Sequence, residues 1–370
     1  MSTEKPRMIL VANVAKEHVL KFHVPTIKML KEAGWYVDVA CSGDETVPYC
    51  DHQYHMSYKR NPFTPKTFKG IKELKDIINN GNYDVVYCHT PVGGMVGRLA
   101  SIGARKRGTK VIYFAHGFHF YKGAPLINWL LYYPVEKVLA RFTDKVITIN
   151  DEDTENARRL LKVDQVMQLP GMGIDLTAFY GTDVAHERKR IREELNIPEN
   201  AWVMIYLAEL IPNKNQKMLL DVLKKVCQLN KDTYLLLAGV DHYNGEIQKY
   251  ASEIGMEKNY RYLGWRSDKE ALYSAADVCT ATSIREGFGL NLVEAMAIGL
   301  PIVATNNRGH KTIVVDGVNG YLVDINDSDK MAKRVVKIMT DNTLKTPTEN
   351  ELKQYDQNEI IKRIIGYVSK

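Results

Sequence analysis

Short apolar runs separated by stretches of helical spacing dominate this 370-residue chain, and the rhythm occurs twice. In the first half Met8–Asn13, Tyr36–Cys41, Asp84–His89, Lys110–Ala115 and Lys145–Asn150 read as buried strands. Between them, segments such as Val24–Ala33, closed by Gly34, repeat apolar residues at the period of a helix. Alternation of this kind builds βαβ units, whose crossovers demand a parallel sheet with helices on both faces. The pattern restarts with strands expected at Trp202–Leu207, Tyr234–Gly239, Tyr260–Leu263, Val278–Thr282, Ile302–Thr305 and Gly320–Val323, and helices at Gln216–Leu229, Asp268–Ala275 and Leu290–Ile298. At roughly 150 residues per domain, the length also asks for two domains. The expected division is a Rossmann-like domain over 1–175, a second over 196–350, and a terminal helix over 351–370 that could pack back on the first. The charge-dense Thr177–Asn200 marks the boundary. Open α/β sheets bind ligands at the carboxyl ends of their strands, so two such sheets facing each other would enclose a cleft.

Composition narrows the classes further. Five cysteines, odd in number and never in a CxxC spacing, fit free thiols in a reducing compartment and exclude a zinc ribbon or a disulfide framework. Met8–Ala15 imitates a signal peptide but runs into Lys16-Glu17-His18 without a cleavage site, and reads as the first strand. No apolar run reaches the roughly 18 residues of a membrane span. The expected location is therefore cytoplasmic, with at most peripheral contact with the inner face of the cell membrane. Residues 1–175 carry 24 Lys and Arg against 18 Asp and Glu, which accounts for the whole net charge of +6 and leaves the second half neutral. The excess gathers at Lys59, Arg60, Lys66, Lys69, Lys72 and Lys75 and again at Arg105, Lys106, Arg107 and Lys110. Solvated helix faces explain such clusters as well as attraction to anionic lipid, worth about 1 kcal/mol per basic residue near a charged surface. No helix-turn-helix, finger or RNP pattern accompanies the charge, so no nucleic-acid partner is expected.

The strongest chemical signal is Arg285-Glu-Gly-Phe-Gly-Leu-Asn-Leu-Val-Glu-Ala-Met-Ala-Ile-Gly-Leu-Pro301, which follows an expected strand and opens a helix. Glu286 falls in the loop at the strand's carboxyl end, Gly287 and Gly289 permit close backbone approach, and the amides of Leu290 and Asn291 lie at a helix N-terminus suited to anions. Glu294 is expected in the first turn or so of that helix. Two carboxylates flanking a phosphate-sized nest of amides match hydroxyls on either side of a diphosphate, the description of a nucleotide sugar.

This segment resembles the signature of family four of the retaining glycosyltransferases, enzymes of the GT-B fold with two Rossmann-like domains. The similarity extends to Trp265 after Leu263-Gly264 and to Gly317-Val-Asn-Gly320. It implies that Glu286 holds the transferred sugar, that Phe288, Gly289 and Leu290 set backbone groups against sugar and diphosphate, and that Glu294 binds the ribose, with Asn291 and Trp265 also on the donor. A second donor element of the family is an Arg followed five residues later by Lys. Here Lys214 matches, but Glu209 replaces the Arg, as in the branch that builds capsular, exopolysaccharide and O-antigen glycans. Glu209 is expected to point away from the diphosphate or to meet Lys217 or Arg308.

In the first half, Tyr113-Phe-Ala-His-Gly-Phe-His-Phe-Tyr121 places His116 where the family has its cleft histidine, which the resemblance makes catalytic with Glu286. His119 is a weaker candidate. Cys88-His-Thr-Pro-Val-Gly-Gly resembles an acceptor-side loop, whose Gly93 and Gly94 serve either an acceptor phosphate or helix packing. Asn13 and His18, after the first strand, fall where family members approach the acceptor. The aromatics of Phe118–Tyr133 suit core packing or an interfacial surface for a polyprenyl-linked acceptor. Asp151-Glu-Asp153 imitates a metal-binding DxD but belongs to the first half, so no essential metal and no cofactor is expected. The helix N-terminus and Lys214 would supply the positive charge. The resemblance thus implies transfer of a hexose or N-acetylhexosamine from a UDP-sugar, with retention, to an undecaprenyl-diphosphate-linked glycan acceptor. The alternatives are a noncatalytic sugar-nucleotide-binding partner subunit, or a sugar-nucleotide epimerase or phosphorylase of the same architecture.

Overall fold

The structure, a computed structural model, describes residues 5–58, 64–341 and 343–369. Lys59 and Arg60 of the basic cluster lie outside them. The chain forms two compact units, Met1–Met172 with Ile360–Lys370, and Gly173–Glu359.

The first unit carries seven parallel strands: β1 (Arg7–Val14), β2 (Tyr36–Ser42), β3 (His52–His55), β4 (Val85–His89), β5 (Lys110–Phe114), β6 (Lys145–Thr148) and β7 (Gln165–Gln168), in the order β3-β2-β1-β4-β5-β6-β7. Helices cover both faces, so the central strands are apolar runs rather than alternating ones; residues 8–13 of β1 are all buried. The edge strands β3 and β7 were not anticipated. Their residues, His-Gln-Tyr-His and Gln-Val-Met-Gln, are half-buried to exposed and carry no apolar run.

Helix starts are marked by caps: Thr64 before Pro65–Gly81, Thr90 before Pro91–Ala100 and Asn150 before Asp151–Arg159 each accept a backbone N–H from three residues ahead. The fully buried Arg98 makes a two-pronged pair with Glu136 of helix Leu126–Ala140, at 2.8 and 3.0 Å, and stacks over the Tyr113 ring at 4.0 Å. That pair pins the helix, whose outer face leaves Leu126 and Leu130 81% and 71% exposed beside Ile127 and Leu131. Phe118–Tyr133 therefore divides: Phe118 and Phe120 are core, Trp129 and Tyr133 pack against it, and the leucines face solvent.

The second unit repeats the winding. Strands β8 (Trp202–Leu207), β9 (Thr233–Ala238), β10 (Tyr260–Tyr262), β11 (Val278–Ala281), β12 (Ile302–Thr305) and β13 (Gly320–Val323) take the order β10-β9-β8-β11-β12-β13. In both sheets the order reverses beside the first strand, at β1/β4 and at β8/β11, which is where a doubly wound sheet opens a crevice. The charge-dense Thr177–Asn200, taken as the boundary between the domains, is itself largely helical. Helix Val184–Glu194 belongs to the second unit, and its buried Arg192, with Arg188, grips Asp277 before β11 at 2.9 and 2.6 Å. The terminal stretch read as one helix is broken at Asp356, whose carboxylate accepts the N–H groups of Asn358 and Glu359 to start Gln357–Val368. Lys145 in β6 donates to the Tyr367 carbonyl at 2.7 Å, fixing that helix to the first unit. Among the described residues no helix is long and apolar enough to cross a membrane.

Candidate active site

In the second unit, three loops leaving adjacent strands are laced together. After β8 the chain makes the turn Pro212–Lys214, followed by Asn215 at φ 53°, a left-handed position that Asn tolerates. The loop after β11 is tied to it: the Thr282 hydroxyl donates to the Lys214 carbonyl, the Ile284 N–H to the Asn213 carbonyl, and the Asn213 amide to the Arg285 carbonyl, each at 2.8 Å. This stitching brings the Lys214 ammonium onto Oε1 of Glu286. Ser283 donates to the same oxygen at 2.6 Å while its hydroxyl is met by Tyr206 at 2.6 Å. Burial pushes the Glu286 pKa up, but the charge of Lys214 and the hydrogen bonds from Lys214 and Ser283 outweigh it and hold the carboxyl below its ordinary range. Glu286 is thus a fixed carboxylate, an acceptor with no proton to give.

The third loop, after β12, was not read from the sequence. Asn307 accepts the N–H groups of Gly309 and His310 at 3.0 Å, turning the chain so that Gly309 lies against the Glu286 loop. A Cβ there would come within 2.6 Å of the Phe288 carbonyl oxygen and 2.7 Å of Glu286 Cβ, so only glycine fits. Burial lowers His310 to about 4, and its Nδ1, 2.8 Å from the Thr305 carbonyl, carries the proton of the neutral ring. The available signal was positional: Asn306-Asn-Arg-Gly-His310 leaves the carboxyl end of the strand next to β11.

Gly289, at φ 118°, opens helix Leu290–Ala297, so Leu290 and Asn291 present first-turn amides that have no partner within the helix. Glu294, expected in the first turn or so, is the fifth helical residue, at the start of the second turn. Its buried carboxylate accepts from Lys269 at 2.6 Å and from the Tyr273 hydroxyl at 3.2 Å. The Phe288 ring is buried, 5.9 Å from that of Tyr355. Trp265, 71% exposed past the end of β10, stands outside this network. Glu209 does not meet Lys217, which pairs with Glu246, nor Arg308; it is half-exposed, with His242 3.9 Å away.

In the first unit, His18 and His116 are brought together, ring centroids 4.9 Å apart, along with two histidines that were not singled out, His23 and His89. His116 also stacks on Phe114 at 4.5 Å. His119 is elsewhere, stacked on Tyr132. Asn13 is buried, its carbonyl accepting from Ser42 at 2.6 Å. Gly93 and Gly94 are closed by packing: a Cβ would meet Ala12 Cα at 3.0 Å in one case and the Tyr113 ring at 2.4 Å in the other. The DxD-like run is structural. Asp153 accepts from Asn150 at 2.8 Å and from the Phe118 N–H at 3.3 Å, Glu152 accepts from the Lys122 N–H, and Asp151 accepts from Gln168.

A family model described as "Glycosyl transferases group 1" matches residues 187–359, and one described as "Glycosyl transferase 4-like" matches residues 7–150. The putative glycosyltransferase EpsD of Bacillus subtilis is 40% identical over 333 residues, covering 90% of this chain and 87% of the relative. The chain belongs to the family four glycosyltransferases. A further relative, the UDP-Gal:alpha-D-GlcNAc-diphosphoundecaprenol alpha-1,3-galactosyltransferase of Escherichia coli, is 28% identical over 292 residues, 77% of this chain and 74% of that one. Anabaena HepE, whose crystal structure holds UDP and glucose, superposes with a TM-score of 0.78 at 20% identity over 99% of this chain and 100% of that one, which establishes the GT-B fold class for this glycosyltransferase.

Proposed function

We propose that this glycosyltransferase moves a hexose or N-acetylhexosamine from a UDP-sugar, with retention, to an undecaprenyl-diphosphate-linked glycan in the assembly of a bacterial surface polysaccharide. The observation that carries the reading is the Glu286 carboxylate, fixed by Lys214 and Ser283 directly ahead of the helix Leu290–Ala297 N-terminus. An acceptor-only group beside a cation and free helix amides suits sugar hydroxyls next to a diphosphate. In this reading Lys214 and the amides of Leu290 and Asn291 take the phosphates without an essential metal, and Glu294 takes the ribose, exchanging its Lys269 contact for hydroxyls. Trp265 meets the nucleotide from the end of β10. His116, with His18 and Asn13, receives the acceptor in the first unit, and the departing diphosphate removes the acceptor proton. The UDP-Gal donor and diphosphoundecaprenol acceptor in the name of this chain's relative from Escherichia coli, and the UDP bound by HepE, support the nucleotide and lipid carrier. The exposed leucines of helix Leu126–Ala140 and the exposed Lys66, Lys69, Lys72 and Lys75 support peripheral contact with an anionic membrane at its cytoplasmic face.

Calorimetric titration of UDP without divalent metal tests the donor site. Saturable binding is expected, at least about tenfold weaker in Glu294→Ala, with GDP a poor competitor. Glu286→Gln is expected to keep UDP and to lower sugar transfer by at least about a hundredfold. Failure of wild type to bind either nucleotide at millimolar concentration, with or without Mg²⁺, would sink the catalytic reading in favour of a partner subunit.

A further inference from the structure

Four imidazoles converge in the first unit where the donor chemistry does not require them. His18 stands on the turn after β1, His23 immediately before helix Val24–Glu32, His89 ends β4, and His116 lies two residues past β5. Since β1, β4 and β5 are neighbours, the four meet at the carboxyl ends of three adjacent strands, astride the point where the strand order reverses. One ring nitrogen from each lies within 4.8 Å of those of the other three. Two pairs are closer, at hydrogen-bonding distance with one proton shared in each: His18 Nε2 and His23 Nε2 at 3.0 Å, and His89 Nδ1 and His116 Nε2 at 3.3 Å. A tetrahedral ion with bonds of about 2.0–2.1 Å spaces its nitrogens roughly 3.4 Å apart, so both pairs already stand near that spacing and small ring rotations close the rest.

His23 and His89 are fully buried: their converging nitrogens, His23 Nε2 and His89 Nδ1, face the imidazoles of His18 and His116, and their other nitrogens, His23 Nδ1 and His89 Nε2, have no hydrogen-bond partner. Burial holds all four rings neutral, His18 at about 4 and the others well below their ordinary value, so each keeps a lone pair to give. The cluster is made of histidines alone. Hard cations such as Mg²⁺ and Ca²⁺ prefer oxygen, whereas imidazole suits Zn²⁺, Co²⁺, Ni²⁺ and Cu²⁺. His18 and His116 keep partial exposure, which leaves an entry path.

We propose that His18, His23, His89 and His116 bind one divalent first-row transition-metal ion, with Zn²⁺ as its representative, clipping together the segments that leave β1, β4 and β5. Every ligand lies in the first unit, so this site stands or falls apart from the donor reading, but it bears on the acceptor reading, because His18 and His116 would then meet the acceptor through the bound ion rather than as free imidazoles.

The test uses the full chain without a histidine tag, stripped with chelator, re-equilibrated with Zn²⁺ or Mg²⁺ and assayed for bound metal by mass spectrometry. About one Zn²⁺ per chain and no Mg²⁺ should be retained. His89→Gln and His23→Gln should each weaken retention by at least about tenfold, whereas His52→Gln, on the exposed strand β3, should leave it unchanged. Less than about a tenth of an equivalent in wild type, or an equivalent indifferent to His89→Gln and His23→Gln, overturns the proposal. UDP titration of the same variants reports on the second unit separately. Should either variant fail to fold, wild type loaded with Co²⁺ decides: three or four paramagnetically shifted imidazole N–H signals support the site, and fewer overturn it.

Discussion

The two units wind their strands in the same order yet place charge in opposite ways. The first half carries the whole net charge of +6, but many of its bases lie on outer surfaces: Lys66, Lys69, Lys72 and Lys75 are exposed on helix Pro65–Gly81, and Arg105 is occupied by Asp144 at 2.6 Å. At its strand ends it gathers neutral imidazoles. The second half is neutral in sum, and its strand ends hold the ionic pairs Lys214–Glu286 and Lys269–Glu294. Net charge by domain therefore speaks to surfaces and their partners, not to the site, where individual ions are placed by loops. Among the described residues the strand ends of the second unit hold ions placed to meet an anionic ligand, whereas those of the first hold a cluster of neutral imidazoles.

The largest effect should come from breaking a buried pair in the first unit and a half-exposed one in the second. Glu136→Gln leaves Arg98, 1% exposed, with its charge uncompensated, a loss of about 3–5 kcal/mol and a fall of roughly 6–20 °C in melting temperature for a unit of this size. Glu294→Gln leaves Lys269 free to hydrate, since its side chain is already half-exposed, and should cost no more than about 1 kcal/mol. Thermal unfolding of both variants checks the contrast. Equal losses would mean that the ionic pairs of the second unit are structural rather than poised for a ligand.

How much of this was legible in the chain depended on whether the determinants were local. Strands buried on both faces read directly as apolar runs, so β1, β4, β8 and β11 were found, while β3 and β7, which carry half-exposed polar residues at sheet edges, were not. Thr177–Asn200 marks a boundary when its charges are counted, but where they go is not local: Arg188 and Arg192 are bound to Asp277, across the second unit. The Glu286 segment was legible because glutamates, glycines and helix start are contiguous. His23, His89, Gly309 and His310 were not, because each joins its site through the strand order. Nothing near His89 in the sequence announces His18, and only the adjacency of β1, β4 and β5 does so.

A smaller effect follows from acid. His310 is held at about 4 by burial, against roughly 6.5 in the unfolded chain, so between those values only the unfolded state takes the proton. Its contribution is present in full above pH 6.5 and is lost as pH falls toward 4, about 2 kcal/mol by pH 5. Glu286, held below the ordinary carboxylate range, stays ionised across that window and keeps its bond to Lys214. Melting curves at pH 7 and pH 5 should therefore show a loss that is smaller in His310→Gln. If the variant and wild type lose the same amount, the ring is not buried neutral and the second unit is more fully ionic than drawn.

The smallest effect tests where the ionic half ends. Trp265 is exposed past β10, two strands from β8, and touches neither Lys214 nor Glu286, so Trp265→Ala should leave the melting temperature unchanged. An aromatic contact with the nucleotide contributes about 0.5–1.5 kcal/mol. Titration of UDP into the variant should accordingly show affinity weakened by up to about tenfold, with the heat of the phosphate contacts retained. An unchanged affinity would remove Trp265 from the donor site and leave recognition there to Lys214, the helix amides and the two glutamates alone.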